Sequence, residues 1–174
     1  MPVARASRTI AAPPEELWRV LSDPYHLPRW WPRVERVESV EEAAFTEVMR
    51  TRKGKTVRAD FDVVRSDEAS GTVVWEQRLD GTPFAGVLSS SATELRIAPA
   101  PGPAARGAAA QPQAQAQAQA SEVTIEMRQE LSDTAAPSLG LRASFLPSMG
   151  RRMVRRAAAR TIAEALDGLE QISA

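Results

Sequence analysis

The chain has 174 residues, with 22 cationic and 22 acidic side chains, so its formal net charge is zero. One His and no Cys exclude disulfides, thiolate chemistry and the Cys- or His-rich zinc sites, and a neutral chain is unlike the basic chains that bind nucleic acid. Apolar residues make up 43%, enough for one domain with a sizeable core over 1–174, and no apolar run approaches the roughly 18 residues of a membrane span. The segment Met1-Pro2-Val3-Ala4-Arg5 has no apolar signal core, which predicts a soluble cytoplasmic protein. In chain order, residues 3–10 read as a short first strand. Pro13-Pro14-Glu15-Glu16 then opens a helix. Proline suits the first turn because its missing N–H had no partner there, and the two glutamates suit the positive end of the helix dipole. Ser22-Asp23-Pro24 stops that helix, and Asp23 caps a second short one over 24–30, ended by Pro32.

Strand signals follow. Residues 34–40 mix charged and apolar types, and Phe45, Glu47 and Met49 alternate with Thr46, Val48 and Arg50. Lys53-Gly54-Lys55 reads as a hairpin turn, after which Val57, Ala59, Phe61 and Val63 alternate with charged residues. Residues 66–71 form another turn, Val73, Trp75, Gln77 and Leu79 the next alternating set, and Asp80-Gly81 a further turn. A weakly patterned strand region is expected over 82–97, bent near Gly86, and a clear one over 123–131. Period-two alternation with one polar face predicts an antiparallel sheet of about seven strands covered on one side.

Residues 99–120 interrupt this order with Pro99, Pro101, Pro103, Pro112 and a Gln-Ala repeat. They offer no core-forming side chain and read as a low-complexity loop between the last two strands. A long helix is expected from about Ser148 to Ile172. Its apolar stripe runs through Met149, Met153, Val154, Ala157, Ala158, Ile162, Ala165, Leu166, Leu169 and Ile172, with Gly168 its one weak point. Such a helix needs a wide apolar partner, and the one-sided sheet supplies it. A curved sheet gripping a helix cannot close at its mouth, which leaves a cavity between them.

The order of elements and three N-terminal pieces resemble the START-like, or SRPBCC, superfamily of polyketide cyclases/dehydrases and lipid-transport proteins. The pieces are Ile10-Ala11-Ala12-Pro13-Pro14-Glu15-Glu16-Leu17-Trp18, Leu21-Ser22-Asp23-Pro24 and Leu27-Pro28-Arg29-Trp30-Trp31-Pro32, and Gly81-Thr82-Pro83-Phe84 and residues 165–170 fit as well. The resemblance implies an α+β helix-grip fold, a curved antiparallel sheet around a long C-terminal helix, with an internal apolar pocket. It does not imply one chemistry, because the fold hosts carriers, sensors, cyclases and co-chaperones.

Strand parity places Phe45, Met49, Phe61, Val63, Trp75, Gln77, Met127 and Gln129 as candidate cavity residues for an apolar lipid- or polyketide-like molecule, joined by Met149 and Met153 from the long helix and by Trp31 at the rim. Glu47, Gln77 and Gln129 share the apolar face, where a buried polar group needs a partner or a ligand. Weak catalytic candidates for an alternative cyclase/dehydratase activity are Glu47, His26, Tyr25 and Gln77, with no nucleophile elbow and no phosphate loop beside them. No metal and no cofactor is expected. A chaperone-activator-like module ranks third, since the Gly-x-Tyr-type strand motif of that group is absent. Ser89-Ser90-Ser91 reads equally as a cavity edge or an edge strand. Only Lys53 and Lys55 are lysine, so 20 of the 22 cationic residues are Arg. Arg142, Arg151, Arg152, Arg155, Arg156 and Arg160 fall in a stretch with no acid between Asp133 and Glu164. These arginines are expected to pair with Glu126, Glu130 and Asp133 of the sheet, or else to attract an acidic ligand head, a partner or an anionic membrane, the last in transient contact through Arg151, Arg152, Arg155 and Arg156.

Overall fold

Alternating side chains build a single seven-stranded sheet in the computed structural model, which describes residues 3–51, 54–82, 84–101, 120–132 and 146–173, with the backbone alone for 146–149. The strands are β1 (Val3–Ile10), β2 (Val34–Glu41), β3 (Ala44–Arg50), β4 (Thr56–Asp67), β5 (Thr72–Arg78), β6 (Leu88–Pro99) and β7 (Ser121–Leu131). All neighbours are antiparallel in the order β1-β7-β6-β5-β4-β3-β2, so the first two strands form the two opposite edges. The link between those edges carries helix α1 (Pro14–Leu21), a 3-10 turn (Pro24–His26) and the single-turn helix α2 (Leu27–Trp30). Asp23 caps the 3-10 turn by accepting from the Tyr25 N–H at 2.9 Å. The segment read as one short helix is thus two pieces, joined where Leu27 N–H closes the 3-10 turn on Pro24 O.

The long C-terminal helix α3 spans Leu146–Ile172 and packs on β1, β7 and α2. Its buried stripe is Ala158, Ile162, Ala165, Leu166 and Leu169. These meet Ile10, Leu17, Leu27, Trp30, Ile125 and Leu95 in one continuous core. The stripe expected from Met149 onward therefore begins only at Ala158, and Met153 is 62% exposed. Gly168 lets α2 approach: a Cβ there would lie 2.4 Å from the Trp30 carbonyl oxygen and 2.9 Å from its Cα. On the other side of the helix, the Arg8 guanidinium of β1 pairs with Asp167 and with Glu170.

Two further differences from the sequence reading concern β6 and its surroundings. The expected strand over 82–97 is a strand only from Leu88, because residues 79–82 and 84–88 fold into turns: Thr82 N–H meets Leu79 O at 3.0 Å and Val87 N–H meets Phe84 O at 2.9 Å. Of the 99–120 segment, Pro99 pairs with Ser121 and Ala100 N–H donates to Ala120 O at 3.0 Å, while residues 102–119 lie outside the described residues.

Candidate functional site

The inner face of the sheet carries aromatic and Met side chains because every second residue points there. Trp30, Trp31, Trp75, Phe45 and Phe61 touch in sequence. Trp30–Trp31, Trp31–Trp75 and Trp75–Phe45 meet edge to face at 5.3, 5.8 and 5.9 Å, and Phe45 stacks on Phe61 at 5.2 Å. Edge-to-face and offset contacts of this kind each add about 0.5–1.5 kcal/mol beyond burial. The chain of rings fixes the short α2 segment on the sheet and leaves an opening beside it.

That opening is a cavity of about 190 Å³. Trp31, Met49, Phe61, Trp75, Phe84 and Met127 form its apolar lining, and Glu47, Gln77, Ser91, Thr93, Gln129 and Thr161 its uncharged or buried polar lining, with Pro32 and Arg33 completing it. Thr161 is the sole contribution of α3 among these residues. The walls are otherwise the sheet, the segment after α2 and the turn that carries Phe84. Gln129 donates to Ser91 Oγ at 3.4 Å.

Glu47 is the chemically distinctive member. It is 1% exposed, its Oε1 has no hydrogen-bond partner among the described residues, and burial alone pushes its carboxyl up to about 8 from an ordinary 4.5. Desolvation penalises the charged form, so at neutral pH this side chain is a neutral acid that donates one hydrogen bond and accepts others. The alternation of β3 puts it on the cavity side between Phe45 and Met49, and its Cα partner on β4 is the buried Ala59.

The sequence candidates separate on the structure. Trp31, Met49, Phe61, Trp75, Gln77, Met127 and Gln129 lie together on the cavity lining with Glu47. Phe45 and Val63 do not. They line a crevice of about 10 Å³ on the far side of Trp75, with Leu21, Leu27 and Val73. Met153 faces solvent, which corrects its placement in the cavity, and the Met149 side chain lies outside the described residues. Tyr25 is 64% exposed, and His26 contacts Arg29 (3.2 Å) and Asp23 (3.8 Å); neither borders the cavity. The Ser run divides: Ser91 lines the cavity, Ser90 Oγ is buried without a partner among the described residues, and Ser89 donates to Leu131 O at 3.4 Å. Arg33, Pro32, Thr93 and Thr161 are lining residues that sequence reasoning missed, and Phe84 entered only through the Gly81-Thr82-Pro83-Phe84 piece. The one signal for Arg33 was its place directly after Trp30-Trp31-Pro32.

The expected pairing of helix arginines with the sheet is also corrected. Glu126 pairs with Arg128 of its own strand at 2.6 Å and with Arg5 of β1 at 3.9 Å, and Glu94 with Arg128 at 3.0 Å, because groups on the same and adjacent strands are nearer than the helix. Arg160 pairs with Glu164 on its own helix at 2.7 Å. Arg151, Arg152, Arg155 and Arg156 are exposed without an ion pair among the described residues, and Asp133 lies outside them. Because α3 begins at Leu146, these arginines stand past the first turn, where the helix dipole has faded. Among the described residues no helix is long and apolar enough to cross a membrane.

Comparison with solved structures places the same architecture in several proteins. The aromatase/cyclase Zhui from Streptomyces sp. R1128 superposes with a TM-score of 0.66 at 20% identity, over 98% of this chain and 92% of that one. The di-domain aromatase/cyclase BexL from the BE-7585A biosynthetic pathway gives 0.69 at 16% identity over 98% of this chain, which spans 46% of its length. A START superfamily protein from Mycobacterium smegmatis gives 0.64 at 12% identity, over 98% and 96% of the two chains. At these identities the likeness is one of fold. No curated protein sequence matches the chain. The sequence model of polyketide cyclase / dehydrase and lipid transport proteins matches residues 1–172, and with a helix-grip sheet around an apolar cavity to go with that match, this chain belongs to that family.

Proposed function

We propose that the chain binds a compact apolar molecule carrying oxygen functions, polyketide-like rather than long-chain lipid, in the cavity beneath Trp31 and Phe84. The lining carries this reading: six aromatic or Met side chains alternate with six polar ones around a space of about 190 Å³. Apolar walls supply affinity and a few fixed polar groups orient the ligand. The space equals the liquid volume of about six waters and falls short of the roughly 300 Å³ at which drug-sized sites begin, so it suits a ring-sized ligand better than an extended acyl chain. Native mass spectrometry after gentle purification, with binding of a hydrophobic dye, tests the reading. A retained small molecule or saturable dye binding, lost in Met127→Trp, is the expected result. A chain with no bound molecule and no dye binding would be a solid core, and the proposal would fall.

A second reading, a cyclase/dehydratase in the same cavity, draws on Glu47. A carboxyl that titrates near 8 can give and take a proton at cellular pH, as a general acid/base must. Glu47→Gln should then cost about a hundredfold or more in turnover of a poly-β-keto substrate. Unchanged turnover would leave binding alone.

A further inference from the structure

Arg33 departs from the pattern of the neighbouring strand arginines. Arg36, Arg50, Arg78, Arg96 and Arg128 each pair with a carboxylate on their own or an adjacent strand, and Arg58 of β4 reaches across β3 to Glu38 of β2. The Arg33 side chain has no ion pair or hydrogen bond among the described residues. It is exposed, yet it belongs to the cavity lining, where among the described residues it is the only cation and Glu47 the only acid. Its backbone stands at φ 67°, a left-handed conformation that side-chain-bearing residues rarely adopt and that recurs at ligand sites. The turn is tied to β3. Arg50 N–H donates to Arg33 O at 3.2 Å, and Val34 is paired with Met49. The consequence is that Trp31, Pro32 and Arg33 border the cavity in succession.

The two ionisable groups of the lining do not answer each other. Burial is the only influence on Glu47, so the Arg33 charge is not spent on it. A free guanidinium at the solvent end of an apolar cavity, with a neutral acid in its wall, addresses two different parts of one molecule. The planar fork of Arg matches a carboxylate with two parallel hydrogen bonds. We propose that Arg33 is the residue that selects ligands carrying a carboxylate, which it holds at the mouth while the neutral ring system lies among Trp31, Phe61, Trp75 and Met127 and an acceptor oxygen reaches Glu47. The proposal rests on the cavity being a ligand site and adds to it the chemical class of the ligand: a compact aromatic or polycarbonyl monocarboxylate.

Isothermal titration of the intact chain with 2-naphthoate and with 2-naphthamide tests it, in the native sequence, Arg33→Gln and Met127→Trp, each checked for an unchanged circular dichroism spectrum. The native chain should bind the carboxylate about tenfold tighter than the amide, a difference near 1.4 kcal/mol. Arg33→Gln should remove that preference by weakening the carboxylate alone, and Met127→Trp should abolish both. Equal affinities in the native chain would overturn the role of Arg33 and leave the cavity standing. Equal weakening of both probes in Arg33→Gln would make Arg33 a support of the turn, which also overturns the proposal. Binding of neither probe to the native chain, or undiminished binding to Met127→Trp, would remove the cavity reading and the inference with it.

Discussion

Glu47 sets a pH dependence that a single substitution isolates. In the unfolded chain its carboxyl loses its proton near 4.5; in the folded chain it holds it to about 8. Between those values the folded state binds the extra proton, so folding loses stability as pH rises through that window. At pH 7 the loss is about 3 kcal/mol, at 1.36 kcal/mol per unit. Glu47→Gln keeps the shape and removes the ionisation. Thermal melts should show the variant more stable than the native chain by roughly 6–12 °C at pH 7, at 2–4 °C per kcal/mol, with the difference closing near pH 4, where both side chains are neutral. Parallel pH profiles for the two proteins would mean that water already reaches the carboxyl. Strand parity alone located this residue, because a period of two assigns a face to every side chain. Arg33 escaped the same logic: a left-handed turn residue belongs to no period, and nothing local in Pro32-Arg33-Val34 marks positive φ.

At the scale of the elements, Gly168 reverses its sequence meaning. In a helix interior glycine costs about 1 kcal/mol against alanine, so the residue reads as a flaw. Its neighbour explains it: α2 lies so near that a Cβ would press on the Trp30 backbone at 2.4–3.0 Å, and backbone cannot turn aside as a side-chain end can. Gly168→Ala should therefore destabilise the fold by about 1–3 kcal/mol despite its better helix propensity, as overpacking does. Chemical denaturation measures it, and a stabilised variant would show that α2 yields. The effect should also reach the cavity, since α2 carries Trp30 and the residues after it form the rim. The long helix itself was legible from its 3–4 spacing. Which half of its stripe is buried was not, because spacing shows that a face is apolar without showing what covers it. Met153 and Ala158 share that stripe, yet only Ala158 meets the core.

Across the whole molecule, neutral net charge conceals a division of labour. Strand arginines are matched with strand carboxylates, while four arginines of α3 stand exposed beside no described partner. Composition could not separate these, since pairing depends on which strands become neighbours. The seven-strand order was nearly readable because each antiparallel neighbour but one follows its predecessor in sequence. The exception sets β1 beside β7 and makes the first strand an edge of the sheet. That topology also bears on the Pro/Gln/Ala insert. The β6–β7 ladder is complete to Pro99 and Ser121, with one further hydrogen bond between Ala100 and Ala120. The cavity residues Met127 and Gln129 lie six to eight positions further along β7, about 20–27 Å at the rise of a strand. Replacing residues 102–119 by a two-residue Asn-Gly turn should shorten the closed loop without touching either site. Loop closure then becomes easier by about 1–2 kcal/mol, and the melting temperature should rise by a few degrees. Binding of 2-naphthoate should stay as it is in the full chain. A lower melting temperature would show that the insert packs on the sheet, and a weakened ligand at unchanged stability would give it a part in the site despite that distance.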